Sequence, residues 1–195
     1  KVACTSLKTL LFKIENGIDF LPLVRNGIGY YIHDYYGSPP FKSIDISLRQ
    51  KLWNFAVVRD PVERLISCYR NRVVFYGQLS AHNLGPEAIK AGCKPDPNIH
   101  EFIDGLLDYI QYSVAIRHHL APHTFYLGDD ASYYDDIFQL GEMDKLIKRL
   151  GDRLGTKIVV EHLQTGGPKI DTDELNSKEK QTIRNHYEED YRVFF

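Results

Sequence analysis

Residues 53–69, WNFAVVRDPVERLISCY, change character within two residues. Trp53 to Val58 form a short apolar run of the kind found in a strand covered on both faces. Arg59, Asp60 and Pro61 interrupt it. Asp60 can act as N-cap, Pro61 as the first helical residue and Glu63 as the third, which is a capping-box start. Val62, Leu65, Ile66, Tyr69 and Val73 then recur on one side of a helix that should stop near Gly77. A buried strand feeding a helix through a polar corner is the unit from which α/β domains are built.

The same pattern recurs outward from this unit. Leu7, Leu10, Leu11 and Ile14 predict a helix over 5–15, closed by Asn16-Gly17. Residues 18–46, rich in Gly, Tyr and Pro, predict irregular chain with a short strand at 28–32. A helix is expected over 98–115, from Ile99, Phe102, Ile103, Leu106, Leu107, Ile110 and Val114. Strands are expected at 123–127, 136–140 and 157–160, and helices over 142–154 and about 176–190. Strands alternating with helices of this length imply a mostly parallel sheet. No linker divides the chain, so one domain over 1–195 is expected, its first strand upstream of residue 1.

Composition narrows the function classes. Among 195 residues, 24 basic and 26 acidic ones leave a net charge of −2. A chain so balanced has no global field for nucleic acid, and any anion site must be local. No apolar run reaches the roughly 18 residues of a membrane span. The three cysteines, Cys4, Cys68 and Cys93, are odd in number and lack a C-x-x-C pair, so neither a disulfide framework nor a structural zinc site is indicated. No N-x-[ST] acceptor occurs. These features favour a bacterial, cytoplasmic protein. Lys1 is not a methionine, however, and a Golgi lumen is the alternative if an upstream anchor was removed.

Two segments carry anion chemistry. Lys1-Val2-Ala3-Cys4-Thr5-Ser6-Leu7-Lys8 sets small residues, two hydroxyls and a lysine before a helix, whose unpaired N–H groups favour phosphate or sulfate. A capped helix with a solvated lysine is the plainer reading. The segment is not a Walker A loop, because it contains no glycine. In the second segment, Arg59 stands where a strand end meets a helix start, the usual ligand edge of open α/β sheets. Arg64, Ser67 and Asn71 follow at helical spacing, as a polar face or a phosphate cradle.

Taken in order, KVACTSLK and VVRDPVERLISCYRNR closely resemble the family-2, carbohydrate-type sulfotransferases, which use 3′-phosphoadenosine 5′-phosphosulfate (PAPS). The first matches their 5′-phosphosulfate loop from Lys1 to Ser6. The second matches R-[DN]-P-x-x-R-[LF]-x-S-x-[YF] at Arg59, Asp60, Pro61, Arg64, Leu65, Ser67 and Tyr69. Fainter echoes are HHLAPH (118–123) of the family's H-W-x-P-Q segment, YYDDIFQLGEMDKL (133–146), and the ending EEDYRVFF (188–195).

The resemblance implies a three-layer, parallel-sheet α/β domain of the P-loop NTPase-like type. It implies transfer of a sulfuryl group to an acceptor hydroxyl, with a carbohydrate as the expected acceptor, 3′,5′-ADP as product and no metal. Lys1 and the backbone of Ala3, Cys4, Thr5 and Ser6 would hold the 5′-phosphosulfate, with Lys1 also catalytic; Arg59 and Ser67 would hold the 3′-phosphate. His33, in GYYIHDYYG, is the expected base, in a place comparable to the base histidine proposed for heparan 2-O-sulfotransferases. Asp34 would orient it or replace it. Lys169, closing the loop Gln164-Thr165-Gly166-Gly167-Pro168-Lys169, would be a further PAPS contact. Arg117, His118 and His119 form a polar cluster suited to an anionic sugar, to PAPS, or to structural pairing. The rival functions are a nucleotide-dependent phosphotransferase, which lacks Walker glycines here, and a non-catalytic anion-binding module.

Overall fold

Leu7, Leu10 and Ile14 lie along one side of helix α1, Cys4–Asn16, and pack with Val57, Phe138, Leu146 and Leu150 in an apolar cluster. Gly17 ends the helix in the left-handed region (φ 72°), its N–H donating to Lys13 O at 2.9 Å, as the Asn16-Gly17 signal predicts. The computed structural model describes residues 2–159 and 166–195, excluding the side chains of 48 and 50. It resolves two compact units. One comprises Val2–Val58 with the described residues of 132–159; the other comprises Arg59–Ala131 with residues 166–195.

In the first unit, α1 is followed by strands β1 (Leu23–Arg25) and β2 (Ile28–Tyr30), then by the short helix α2 (Ile32–Tyr35). The strands pair antiparallel around Asn26 and Gly27, which both have positive φ as a tight hairpin turn requires. Strand β3, Phe55–Val58, is the expected buried run. It pairs in parallel with β4, Asp136–Gln139, with Phe55 opposite Asp136 and Val58 opposite Gln139. Trp53 Nε1 donates to Asp136 Oδ2 at 2.8 Å and fixes that register.

Helix α9 (Met143–Leu154) buries Leu146 and Leu150 in the same cluster. Among the described residues the expected mostly parallel sheet is thus one parallel pair plus an antiparallel hairpin. Residues 157–159 form no strand, and residue 160 lies outside those described. The protein is α/β with a small parallel sheet.

The second unit starts at the polar corner. Helix α3, Pro61–Cys68, passes into a π-helical stretch, Tyr69–Phe75, where a regular helix to Gly77 was expected. Helix α4 (Pro86–Lys90) follows. The long helix expected over 98–115 is cut by Gly105 into α5 (Ile99–Asp104) and α6 (Leu106–Tyr112); Ser113 then caps α7 (Val114–Leu120). Residues 123–127, expected as a strand, are helix α8 (His123–Leu127). Their aromatic and β-branched composition suits a strand, but Pro122 occupies the N-cap position and starts a turn. Helices α10 (Ser177–His186) and α11 (Glu188–Phe194) meet at buried Tyr187, whose hydroxyl donates to Leu120 O at 2.8 Å. Leu65, Phe102, Ile103, Ile116 and Ile183 form the centre of this unit's core.

Candidate anion and base sites

At the start of α1, Ala3 is the N-cap and takes a left-handed conformation (φ 58°, ψ 22°), with no side-chain hydrogen bond closing the helix end. The first bond within the helix is Leu7 N–H to Ala3 O at 2.9 Å. The N–H groups of Cys4, Thr5 and Ser6 therefore precede the helical ladder and point out of its positive end. A non-glycine residue in this backbone region is uncommon and costs energy unless its surroundings enforce it. Lys1 lies outside the described residues.

His33 sits on α2, and the fold brings it to this helix end. Its Nε2 is 3.0 Å from Thr5 Oγ1, and its Nδ1 is 3.2 Å from Lys8 Nζ. The Asp34 carboxylate turns to its own helix start rather than to the ring. Its Oδ2 accepts the Tyr31 N–H at 2.7 Å and caps α2. The group that meets the far side of the imidazole is Lys8, which the sequence reading passed over. Nothing local marks it, because its partner is 25 residues away. Burial lowers the Lys8 pKa below its usual value, against an opposing effect of Cys4.

The Arg59 corner is built differently. Asp60 Oδ1 accepts the N–H groups of Val62 (2.9 Å) and Glu63 (3.2 Å), the N-cap half of the expected capping box. The Glu63 carboxylate turns to Arg59 instead of the Asp60 N–H, and Asp60 Oδ2 accepts the Tyr191 hydroxyl at 2.8 Å. Arg64, expected on a polar face with Ser67 and Asn71, is buried. It pairs with Asp190 at 3.3 Å, donates to Ala121 O and lies over the Tyr187 ring at 4.8 Å. Asp190, fully buried, also accepts the backbone N–H of His123 (2.7 Å) and of Thr124 (2.9 Å). His123 in turn lies 3.0 Å from Arg59 O through Nε2. Burial, reinforced by the Arg64 charge, pushes the His123 pKa down to about 4, so the ring is neutral near pH 7, and its Nε2 meets the Arg59 backbone at both O (3.0 Å) and N–H (3.3 Å).

His123, Asp190 and Tyr191 thus fix the corner on which Arg59 stands. All three fall in the segments that echo the family only faintly. Sequence reasoning missed their roles because each acts across more than 60 residues.

The Arg59 guanidinium remains at the surface, 22% exposed, with Nε bonded to Glu63 at 3.1 Å. Ser67 is half-buried on α3. Asn71 is buried, and both its amide atoms lack a partner among the described residues. Arg70, one turn beyond Ser67, donates to the carbonyls of Pro168 and Gly167 and staples the late loop to this segment. Gly167 has φ +99°, and a Cβ there would strike the Arg70 backbone, so this close approach requires glycine. Lys169 is exposed just beyond. Gln164 and Thr165 lie outside the described residues.

In the other polar cluster, Arg117 donates to Gln111 O (3.3 Å), and His118 Nδ1 lies 2.9 Å from the Tyr126 hydroxyl. Among the described residues no three His, Cys, Asp or Glu side chains form a group that could hold a metal. No described helix is long and apolar enough to cross a membrane. A family model described as "Sulfotransferase family" matches residues 1–195. No curated protein and no solved structure matches the chain.

Proposed function

The chain belongs to the sulfotransferase family, and from that premise we propose that it moves a sulfuryl group from PAPS to a hydroxyl of a carbohydrate. The family implies an enzyme that transfers sulfate to a hydroxyl-bearing acceptor. The single observation that carries the finer reading is the left-handed, side-chain-uncapped start of α1 with His33 Nε2 3.0 Å from Thr5 Oγ1.

In this reading the N–H groups at Ala3, Cys4, Thr5 and Ser6, with Lys1, hold the 5′-phosphosulfate. The charge that builds on the equatorial oxygens and on the leaving phosphate during transfer meets aligned N–H groups and an ammonium, with no metal required. Arg59 and Ser67 hold the 3′-phosphate, and Lys169 closes over the nucleotide from the loop stapled to Arg70. His33 takes the acceptor proton as the new O–S bond forms. The proposal extends to one domain over 1–195, of three-layer P-loop NTPase-like architecture, and to a cytoplasmic setting.

The test compares 3′,5′-ADP with 5′-AMP. Arg59→Ala should weaken 3′,5′-ADP by about 1.5–3 kcal/mol, the range of a charge-assisted hydrogen bond, and leave 5′-AMP nearly unchanged. Equal losses for both nucleotides, by calorimetry, would contradict the assignment. Turnover of labelled PAPS should persist in excess EDTA.

A further inference from the structure

Lys8 Nζ has four neighbours at hydrogen-bonding distance: Tyr36 O at 2.7 Å, Gly37 O at 3.0 Å, Ser38 Oγ at 2.7 Å and His33 Nδ1 at 3.2 Å. A lysine ammonium has three hydrogens and no lone pair. The two carbonyls can only accept, so they take two hydrogens. The third is shared between Ser38 Oγ and His33 Nδ1. While Lys8 is charged, an Nδ1–H would set donor against donor, so Nδ1 is the unprotonated nitrogen of a neutral ring. The ring proton then sits on Nε2, facing Thr5 Oγ1 at 3.0 Å. In that tautomer Nε2 donates to Thr5 and has no lone pair with which to take a proton.

We propose that Lys8 is the positioning residue of this site: it sets which nitrogen of His33 carries the proton, and its own deprotonation converts His33 from a donor into a base at Nε2. The proposal rests on the reading of His33 as the base. With Lys8 neutral, its two N–H groups stay on the carbonyls of Tyr36 and Gly37, and its lone pair accepts Nδ1–H. The Nε2 lone pair then faces the start of α1. As the acceptor oxygen bonds to sulfur, the bond from sulfur to the phosphate oxygen breaks and its electron pair leaves with the phosphate. The acceptor proton goes to Nε2, and Nδ1–H passes to the Lys8 amine. The ring ends neutral with Nε2–H, Lys8 ends as an ammonium, and one proton returns to solvent before the next turnover.

The titratable neighbours are consistent with this role. Burial favours the neutral amine; Cys4, one turn earlier on α1, opposes it. From α2 and the residue after it come His33 itself, Tyr35, Asp34 engaged by the Tyr31 N–H, and Tyr36, whose hydroxyl donates to Glu15 of α1.

The experiment pairs imidazole ¹⁵N NMR of the nucleotide-free chain with kcat–pH profiles for wild type, Lys8→Met and Lys8→Arg. At neutral pH the wild type should show His33 protonated on Nε2, and Lys8→Met should lose that preference. The acid limb of the Lys8→Met profile should move at least about one pH unit to lower pH, because no ammonium then has to be deprotonated. Lys8→Arg, which cannot lose its charge, should lose about 10²-fold or more in kcat. A wild-type ring protonated on Nδ1, or an acid limb shared by wild type and Lys8→Met, overturns the proposal. A tautomer that responds to Lys8 in a protein that turns over no PAPS would instead overturn the sulfotransfer reading beneath it.

Discussion

The start of α1 and the Arg59 corner both carry segments that resemble the family's anion-binding motifs, yet they are held in opposite ways. The corner rests on buried groups: Asp190 gathers Arg64, His123 and Thr124, while His123 and Tyr191 hold Arg59 and Asp60. The α1 start has no capping side chain, and its partners, His33 and Lys8, are exposed or half-exposed. Within one motif the arginines divide in the same manner. Arg64 is structural and Arg59 is presented. Buried polar networks specify geometry because an unpaired member is costly, whereas solvent-facing groups remain free to change protonation and partners. The comparison separates residues whose loss should unfold the protein from those whose loss should stop the chemistry.

The largest expected effect tests the exposed side. His33→Ala should lower kcat by about 10²–10⁴-fold, the range for a general base, with the thermal midpoint nearly unchanged. Near wild-type turnover would remove His33 from the mechanism. On the buried side, Asp190→Ala should cost about 3–5 kcal/mol in a urea titration, since it strands the Arg64 charge in the core. A loss within about 0.5 kcal/mol, as for a surface site, would erase the contrast.

Acid should separate the regions next. The His123 pKa falls from 6.5 to about 4 on folding, so between those values the unfolded chain binds the proton and the folded one does not. Stability contributed by the neutral ring is complete above about pH 6.5 and declines as pH falls toward 4, by up to about 3 kcal/mol at 1.36 kcal/mol per unit. His123→Gln should flatten that slope in melting curves. The smallest effect concerns Arg59 alone. Glu63→Gln releases an exposed i,i+4 pair worth about 0.3–0.5 kcal/mol, so 3′,5′-ADP should bind about twofold tighter, if Glu63 competes with the 3′-phosphate. Weaker binding in the same titration would show that the carboxylate positions the arginine instead.

Much of this architecture is legible locally. The Leu7-Leu10-Ile14 stripe with Gly17, the apolar run ending at Val58, the Asp60-Pro61 cap and the Met143–Leu154 helix all appear where the sequence places them. Local reasoning failed where composition and position disagreed. Thr124, Phe125 and Tyr126 suggest a strand but follow Pro122 into a helix, and Gly105 divides what the apolar period joins. His33 is legible as a candidate, though not its setting on α2.

By itself, the sequence determined the helix starts and stops, the buried strand and the two motif segments, because capping, turn chemistry and hydrophobic period act within a few residues. It also placed the chain beside the sulfotransferases. Only the tertiary structure decided that Arg64 is a buried partner of Asp190 while Arg59 stays part-exposed beside Glu63, and that Lys8 rather than Asp34 meets the His33 ring. Burial, ion pairing and tautomer choice depend on groups that chain folding brings from 25 to 126 residues away, and no local pattern encodes those distances.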